Sequence, residues 1–147
     1  MITEFDGKYA FLSNFFHSPF AYDGIEYPTV EHFFQAMKTL DQEERKKIAA
    51  ADSPGKAKRM GRHVQLRKDW EQVKYTIMCI GVKCKFDAHP ELASKLIATG
   101  DAILIEGNSW HDNIWGSCFC PKCAEISGQN WLGEILMKER KELISGL

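Results

Sequence analysis

Glu31, Gln35 and Lys38 stand four and three residues apart, so on a helix all three project from one face. A carboxylate and an amine placed in this way meet one ligand jointly, as acid–base or nucleophilic chemistry requires. On spacing alone a lone Glu and Lys form a solvated face. The flanking run Glu31-His32-Phe33-Phe34 argues against that, because aromatic surroundings desolvate a carboxylate and raise its pKa toward neutrality. A second set lies in the loop Glu106 to Gly116, which carries Trp110, His111, Asp112, Asn113 and Trp115. Two indoles beside short polar side chains suit a site that stacks a flat ring and hydrogen-bonds around it. The plainer alternative is two Trp sealing a core, with Asn and Asp making turns.

Two further clusters have candidate chemistry. Lys56, Lys58, Arg59, Arg62, Arg67 and Lys68 begin at a helix start after Ser53-Pro54, where free amides and cations favour a phosphate, although a charge run is more often a solvated face. Cys118, Cys120 and Cys123 fall within six residues, and the Cys-x-x-Cys half is similar to a zinc knuckle. A closed zinc site needs a fourth ligand, which would be His111, another Cys or a water. With no second Cys-x-x-Cys, the expectation is no bound metal and unligated or redox-labile thiols in a surface loop. Cys79 and Cys84 are expected in a core.

The elements that must position these residues follow from periodicity and turn signals. Asp23-Gly24 between Phe20-Ala21-Tyr22 and Ile25-Glu26-Tyr27 predicts a hairpin. Thr29 caps a helix over Val30 to Leu40, Asp41 and Ser53 start two short helices, and Asp69 caps a long one. In that long helix Trp70, Val73, Ile77, Ile80 and Cys84 form the expected apolar stripe. His89-Pro90 opens a further helix ended by Gly100, and Ala102 to Glu106 reads as a buried strand. Asn130 caps a last helix with Leu132, Ile135, Leu136 and Leu143 inward. The sum is a compact α+β fold, mostly helical with a small sheet, expected as one domain over residues 1–147.

Composition narrows the class. The 147 residues carry 19 Lys plus Arg against 20 Asp plus Glu, a net charge of −1, which excludes the broad positive field of a nucleic-acid coat protein. No apolar run approaches the ~20 residues of a membrane span, and the acidic start Met1-Ile2-Thr3-Glu4-Phe5-Asp6 is unlike a secretory leader. A cytoplasmic protein with five reduced cysteines is expected.

Four blocks then stand out together: Phe11-Leu12-Ser13-Asn14-Phe15, Tyr27-Pro28-Thr29-Val30-Glu31-His32-Phe33-Phe34-Gln35-Ala36-Met37-Lys38, Asn113-Ile114-Trp115-Gly116 and Gln129-Asn130-Trp131-Leu132-Gly133. In order and across nearly the whole chain, they resemble the signature blocks of the NADAR family, also called YbiA-like. The resemblance implies an N-glycosidase acting on a ribose-linked substrate. That substrate is ADP-ribose carried on guanine of DNA or RNA, or a ribosylamine phosphate of the early riboflavin pathway. It also implies that Glu31 is the catalytic glutamate and Lys38 its companion, with Trp110, Asp112, Trp115 and Asn130 lining the same pocket. Asn14, Phe15, Gln35 and His111 fall with the substrate-binding residues. Either Glu31 or Asp112 suits the stabilisation of a ribosyl cation or the protonation of the departing nitrogen. Lys38 offers a Schiff-base route. Lys56, Arg59 and Arg62 would hold phosphate. This chemistry needs no cofactor. A sensor that binds NAD or ADP-ribose without turnover and a zinc-dependent interaction domain built on the Cys loop are the competing expectations.

Overall fold

The computed structural model describes every residue, Met1–Leu147. It is α+β and mostly helical, as predicted, with six α-helices and two short two-stranded sheets. No helix is long and apolar enough to cross a membrane. The residues group into two units, Asn14–His89 and Met1–Ser13 with Pro90–Leu147.

In the unit Asn14–His89, β1 (Phe20–Tyr22) and β2 (Ile25–Tyr27) form the predicted antiparallel hairpin, with Tyr22 opposite Ile25. Asp23 and Gly24 both have positive φ, 50° and 79°, the backbone that a two-residue hairpin turn demands. Helix α1 (Val30–Ala36) starts at Thr29, whose Oγ1 accepts the His32 amide at 3.1 Å. It ends four residues short of the predicted Leu40. Lys38 and Thr39 turn their amides to carbonyls only three residues back, and their own carbonyls accept from the Arg67 amide (2.7 Å) and Arg45 Nε (2.8 Å). The last turn is thus tied sideways instead of continuing.

Helices α2 (Gln42–Ala49) and α3 (Pro54–Met60) begin at Asp41 and Ser53, each accepting amides of its own first turn. Both pack on α1, as does α4 (Trp70–Ala88), so every residue of α1 is buried. The polar face of α1 is therefore interior and not the solvated face that spacing alone suggests. Phe33 anchors it, meeting Phe20, Tyr22 and Tyr27 edge-on with ring centroids 5.2 to 5.4 Å apart.

Helix α4 corrects two expectations. Asp69 makes no cap bond, because its carboxylate is held by Arg67 at 2.6 and 3.1 Å. The buried stripe runs through Trp70, Ile77, Met78, Gly81, Val82, Lys85 and Phe86, while Val73, Ile80 and Cys84 are only half-buried. Gly81 sets that rotation. A Cβ there would stand 2.9 Å from the Phe33 ring, so α1 approaches α4 where a side chain is missing.

In the other unit, a six-residue 3-10 helix (Gly7–Leu12) buries Phe11 and Leu12. Helix α5 (Pro90–Ala98) is followed by Gly100 at φ 66°, as predicted. The predicted strand over residues 102–106 is instead an extended segment with one parallel bridge, Ile2 to Leu104. Ile2 donates to the Ile103 carbonyl and accepts from the Ile105 amide, both at 2.8 Å, and its neighbours pair no further, so Ile103 stays half exposed. A short parallel pair follows, β3 (Gly107–Asn108) and β4 (Ser117–Cys118). Helix α6 (Trp131–Ser145) packs on α5 and buries Leu132, Ile135 and Leu136 as predicted, with Leu143 half-buried.

Asn130 precedes α6 but is not a capping side chain. The amides of Asn130, Trp131 and Leu132 are already accepted by the carbonyls of Gly116, Ile114 and Trp115 at 3.0 to 3.2 Å. With the helix start satisfied in this way, Asn130 adopts φ 51° and turns its amide group elsewhere.

Candidate functional site

Within the unit Asn14–His89, the structure brings together Glu31, Gln35 and Lys38. Glu31 is 7% exposed, and its Oε1 accepts from Gln35 Nε2 at 3.1 Å. Gln35 is buried in turn, its side chain lying against Gly61 where any Cβ would collide with Oε1. The Glu31 amide donates to the Asn14 carbonyl at 3.1 Å, and Asn14 Nδ2 reaches Met78 Sδ at 3.4 Å. Asn14 thus fixes the backbone at Glu31, while Phe15 is 46% exposed.

Lys38 sits just past the end of α1, half-buried. Burial lowers its pKa below 10.5; the Glu31 charge opposes that shift, and the charges of Arg62 and Lys58 add to it. The amine is therefore set among one buried carboxylate and two cations. Of the basic cluster, Arg62 and Lys58 act electrostatically on Lys38, whereas Lys56 and Arg59 lie exposed on α3. Lys56 faces Asp52 at 3.8 Å, and Ser53 Oγ takes the Lys56 amide. His32 is buried beside this set, its Nδ1 at 2.8 Å from Thr29 Oγ1 and its Nε2 at 3.0 Å from the Ala51 carbonyl. A carbonyl only accepts, so Nε2 carries the proton, and burial lowers the ring's pKa below 6.5.

Lys85 is a site that sequence reasoning missed. It is 1% exposed on the buried stripe of α4, with its Nζ 5.3 Å from the Phe86 ring centre and 5.8 Å from that of Phe16. Desolvation lowers its pKa to about 7. The helical period gave a signal, since Lys85 lies four residues after Gly81 and next to Phe86, but a lysine is normally assigned to a solvent face.

In the other unit, Asn108 organises the loop that carries the tryptophans. Its Oδ1 accepts the amides of Trp110 (3.3 Å) and Asp112 (3.1 Å), and its Nδ2 donates to the Asp112 carbonyl at 2.8 Å. Asp112 Oδ1 accepts the amides of Ile114 (3.1 Å) and Trp115 (2.9 Å), so this oxygen holds the turn. Trp110 is 61% exposed, against the alternative in which both Trp seal a core. Trp115 is half-buried and meets Trp131 edge-on at 5.4 Å. Asn130 spends both ends of its amide on backbone, accepting from the Glu106 amide at 3.0 Å and donating to the Leu104 carbonyl at 2.8 Å. The His111 ring lies against the thiols, its Nδ1 3.4 to 3.9 Å from the sulfurs of Cys118, Cys120 and Cys123.

A family model described as the NADAR domain matches residues 3–144. The N-glycosidase YbiA of Escherichia coli K12 is 42% identical over 137 residues, spanning 92% of this chain and 82% of that protein. Its NMR structure superposes with a TM-score of 0.83 at 38% identity, covering 99% of this chain and 84% of that one. A Vibrio vulnificus protein named riboflavin biosynthesis protein VVA0006 is 35% identical over 140 residues, 94% of this chain and 36% of that protein.

Proposed function

The chain belongs to the NADAR family, and on that footing we propose that it is a hydrolase, an N-glycosidase, that releases ADP-ribose from a guanine base of DNA or RNA or cleaves a related phosphoribosyl amine. The observation that carries the reading is the buried carboxylate of Glu31 on α1 acting on Lys38 just past the end of that helix, an amine whose pKa is depressed. Breaking the bond between ribose C1′ and nitrogen sends the bonding pair to nitrogen and leaves positive charge on the sugar. Glu31 gives the leaving nitrogen its proton, the carboxylate so formed stabilises the sugar's charge, and water adds at C1′ and returns a proton to Glu31 as the sugar is freed.

Lys38 adds a covalent route. A ribose on an exocyclic amine ring-opens to an imine; neutral Lys38 adds at C1′, the base departs with a proton, and water hydrolyses the lysine imine to free the sugar. The depressed pKa favours this route, since only the unprotonated amine adds. Lys56 and Arg59 on α3 and Arg62 just beyond it would hold substrate phosphate, and the charge that Arg62 and Lys58 exert at Lys38 supports this reading. In the other unit Trp110 is exposed, while Asp112 and Asn130 hold their own loop and helix start. The proposal places the enzyme in the cytosol, where five cysteines without disulfides persist.

The test is incubation of wild type and Glu31→Gln with guanine-ADP-ribosylated DNA and, separately, with a ribosylamine phosphate, following the released sugar by mass spectrometry. Release by wild type alone supports the assignment, and the preferred substrate names the class. Near wild-type turnover by folded Glu31→Gln overturns it, and ADP-ribose binding without release from either substrate points to a sensor instead.

The riboflavin-pathway reading is supported by relatives from Zea mays and Vibrio vulnificus that are named riboflavin biosynthesis proteins, and is distinguished by the second substrate.

A further inference from the structure

The thiol loop is not used by the glycosidase chemistry, yet its side chains converge. Cys118 stands on β4, Cys120 two residues on, and Cys120-Pro121-Lys122-Cys123 folds into a tight turn in which the Cys123 amide donates to the Cys120 carbonyl at 3.0 Å. This is the knuckle that lets two cysteines of a Cys-x-x-Cys face one point. His111 reaches the same point from the other side of the Trp loop, with φ 70°, a left-handed backbone that a non-glycine residue adopts only when its surroundings hold it. Its Nδ1 lies 3.4 Å from Cys123 Sγ, 3.4 Å from Cys120 Sγ and 3.9 Å from Cys118 Sγ, and all four ligand atoms are within 4.8 Å of one another.

The three distances from Nδ1 to sulfur lie close to those around a particular ion. Zinc bonds of about 2.3 Å to sulfur and about 2.0 Å to imidazole put tetrahedral neighbours roughly 3.5 to 3.8 Å apart. Three soft thiolates and one imidazole select zinc over the hard cations that carboxylates bind. We propose that His111, Cys118, Cys120 and Cys123 bind one structural Zn2+. All four positions are filled by protein, so the ion has no open position for water or substrate and no part in the hydrolysis. Its work is mechanical: it ties His111 to Cys118, the two ends of the segment that carries Asp112 and Trp115, and fixes the residue next to the exposed Trp110. The inference replaces the expectation of unligated thiols and does not rest on the glycosidase reading.

The test uses the full chain without an affinity tag, purified under reducing conditions and analysed by inductively coupled plasma mass spectrometry. One zinc per chain is expected, with the three loop cysteines protected from alkylation until a chelator is added. Cys118, Cys120 and Cys123 all changed to Ser should lose the metal, and His111→Ala should weaken its retention. Since a Ser variant can fail to fold, wild type stripped of metal is also titrated with Co2+. One equivalent should give the visible bands of tetrahedral, thiolate-bound cobalt. Zinc well below one per chain together with no such cobalt spectrum overturns the site. So does a folded triple variant that keeps as much zinc as wild type, or an intact mass two hydrogens short that reveals a disulfide among the three cysteines.

Discussion

At the level of single residues, Lys38 links structure to reaction. Its pKa is lowered by burial and by the charges of Arg62 and Lys58, against the pull of Glu31. The neutral fraction therefore rises with pH through a midpoint below the ordinary 10.5, and the single-turnover rate should rise along the same limb. Borohydride added during turnover should fix a sugar adduct on Lys38. Lys38→Arg, which keeps the charge but has no neutral amine at working pH, should lose both the adduct and roughly 10²–10⁴ in rate. An undiminished rate in Lys38→Arg would exclude the covalent route and leave direct displacement at Glu31. A companion prediction concerns Gly61, which touches no substrate in this scheme. Its α-carbon faces the buried Gln35 side chain that donates to Glu31, so Gly61→Ala must displace that side chain. The expected outcome is a reduced kcat with little change in KM, because the carboxylate loses its partner while the cations that meet phosphate stay in place. Equal kcat in a folded Gly61→Ala protein would show that the Gln35 bond does not set the activity of Glu31.

At the level of elements, short helices depend on their ends. Helix α1 has seven residues, too few to persist by propensity, and its start rests on Thr29, which both accepts the His32 amide and bonds the His32 ring. Thr29→Ala removes both contacts inside a buried site and should lower unfolding free energy by about 1 to 2 kcal/mol in urea titration. Thr29→Ser, which keeps the oxygen, should recover most of the loss. The same local rules explain what was legible beforehand. Asp23-Gly24 and the caps at Thr29, Asp41 and Ser53 are read within four residues, and each is found where the sequence places it. Features fixed by distant partners were not legible. Arg67 takes Asp69 away from its cap, the run at 102–106 forms a single β-bridge, to Ile2, and carbonyls 114–116 satisfy α6 before Asn130 can. The rotation of the α4 stripe belongs with these, because it follows from the place where Phe33 fills the gap at Gly81. The candidate residues divide along the same line. Spacing alone joined Glu31, Gln35 and Lys38, but the burial of Lys85 runs against the usual place of a lysine, and the service of Asn108 to the Trp loop appears only in three dimensions.

For the molecule as a whole, the buried titratable groups set how stability depends on pH. Lys85 and Lys38 are both depressed, Lys85 to about 7, and His32 lies below 6.5, each chiefly by desolvation. For each of these groups the unfolded chain binds a proton that the folded chain does not, over the interval between folded and unfolded pKa. Stability therefore rises with pH across that interval and is lost as pH falls through it. The intervals run from about 7 to about 10.4 for Lys85 and lie below 6.5 for His32. Tyr27 acts in the opposite sense. Burial raises its hydroxyl to about 12, so above pH ~10 the unfolded chain ionises first and stability falls. Lys85 and Lys38 therefore add stability as pH rises above about 7, and Tyr27 removes it above pH ~10. Urea titrations from pH 6 to 11 at constant ionic strength should show unfolding free energy climbing above pH 7. Lys85 alone contributes a slope of up to about 1.4 kcal/mol per pH unit. Lys85→Met keeps the stem of the side chain, removes the titrating amine and should reduce that slope while leaving the fall above pH ~10 due to Tyr27. A stability maximum near neutrality, with the same slope in wild type and Lys85→Met, would mean that the Lys85 amine keeps its proton in the folded protein and that its burial is offset by a charge partner.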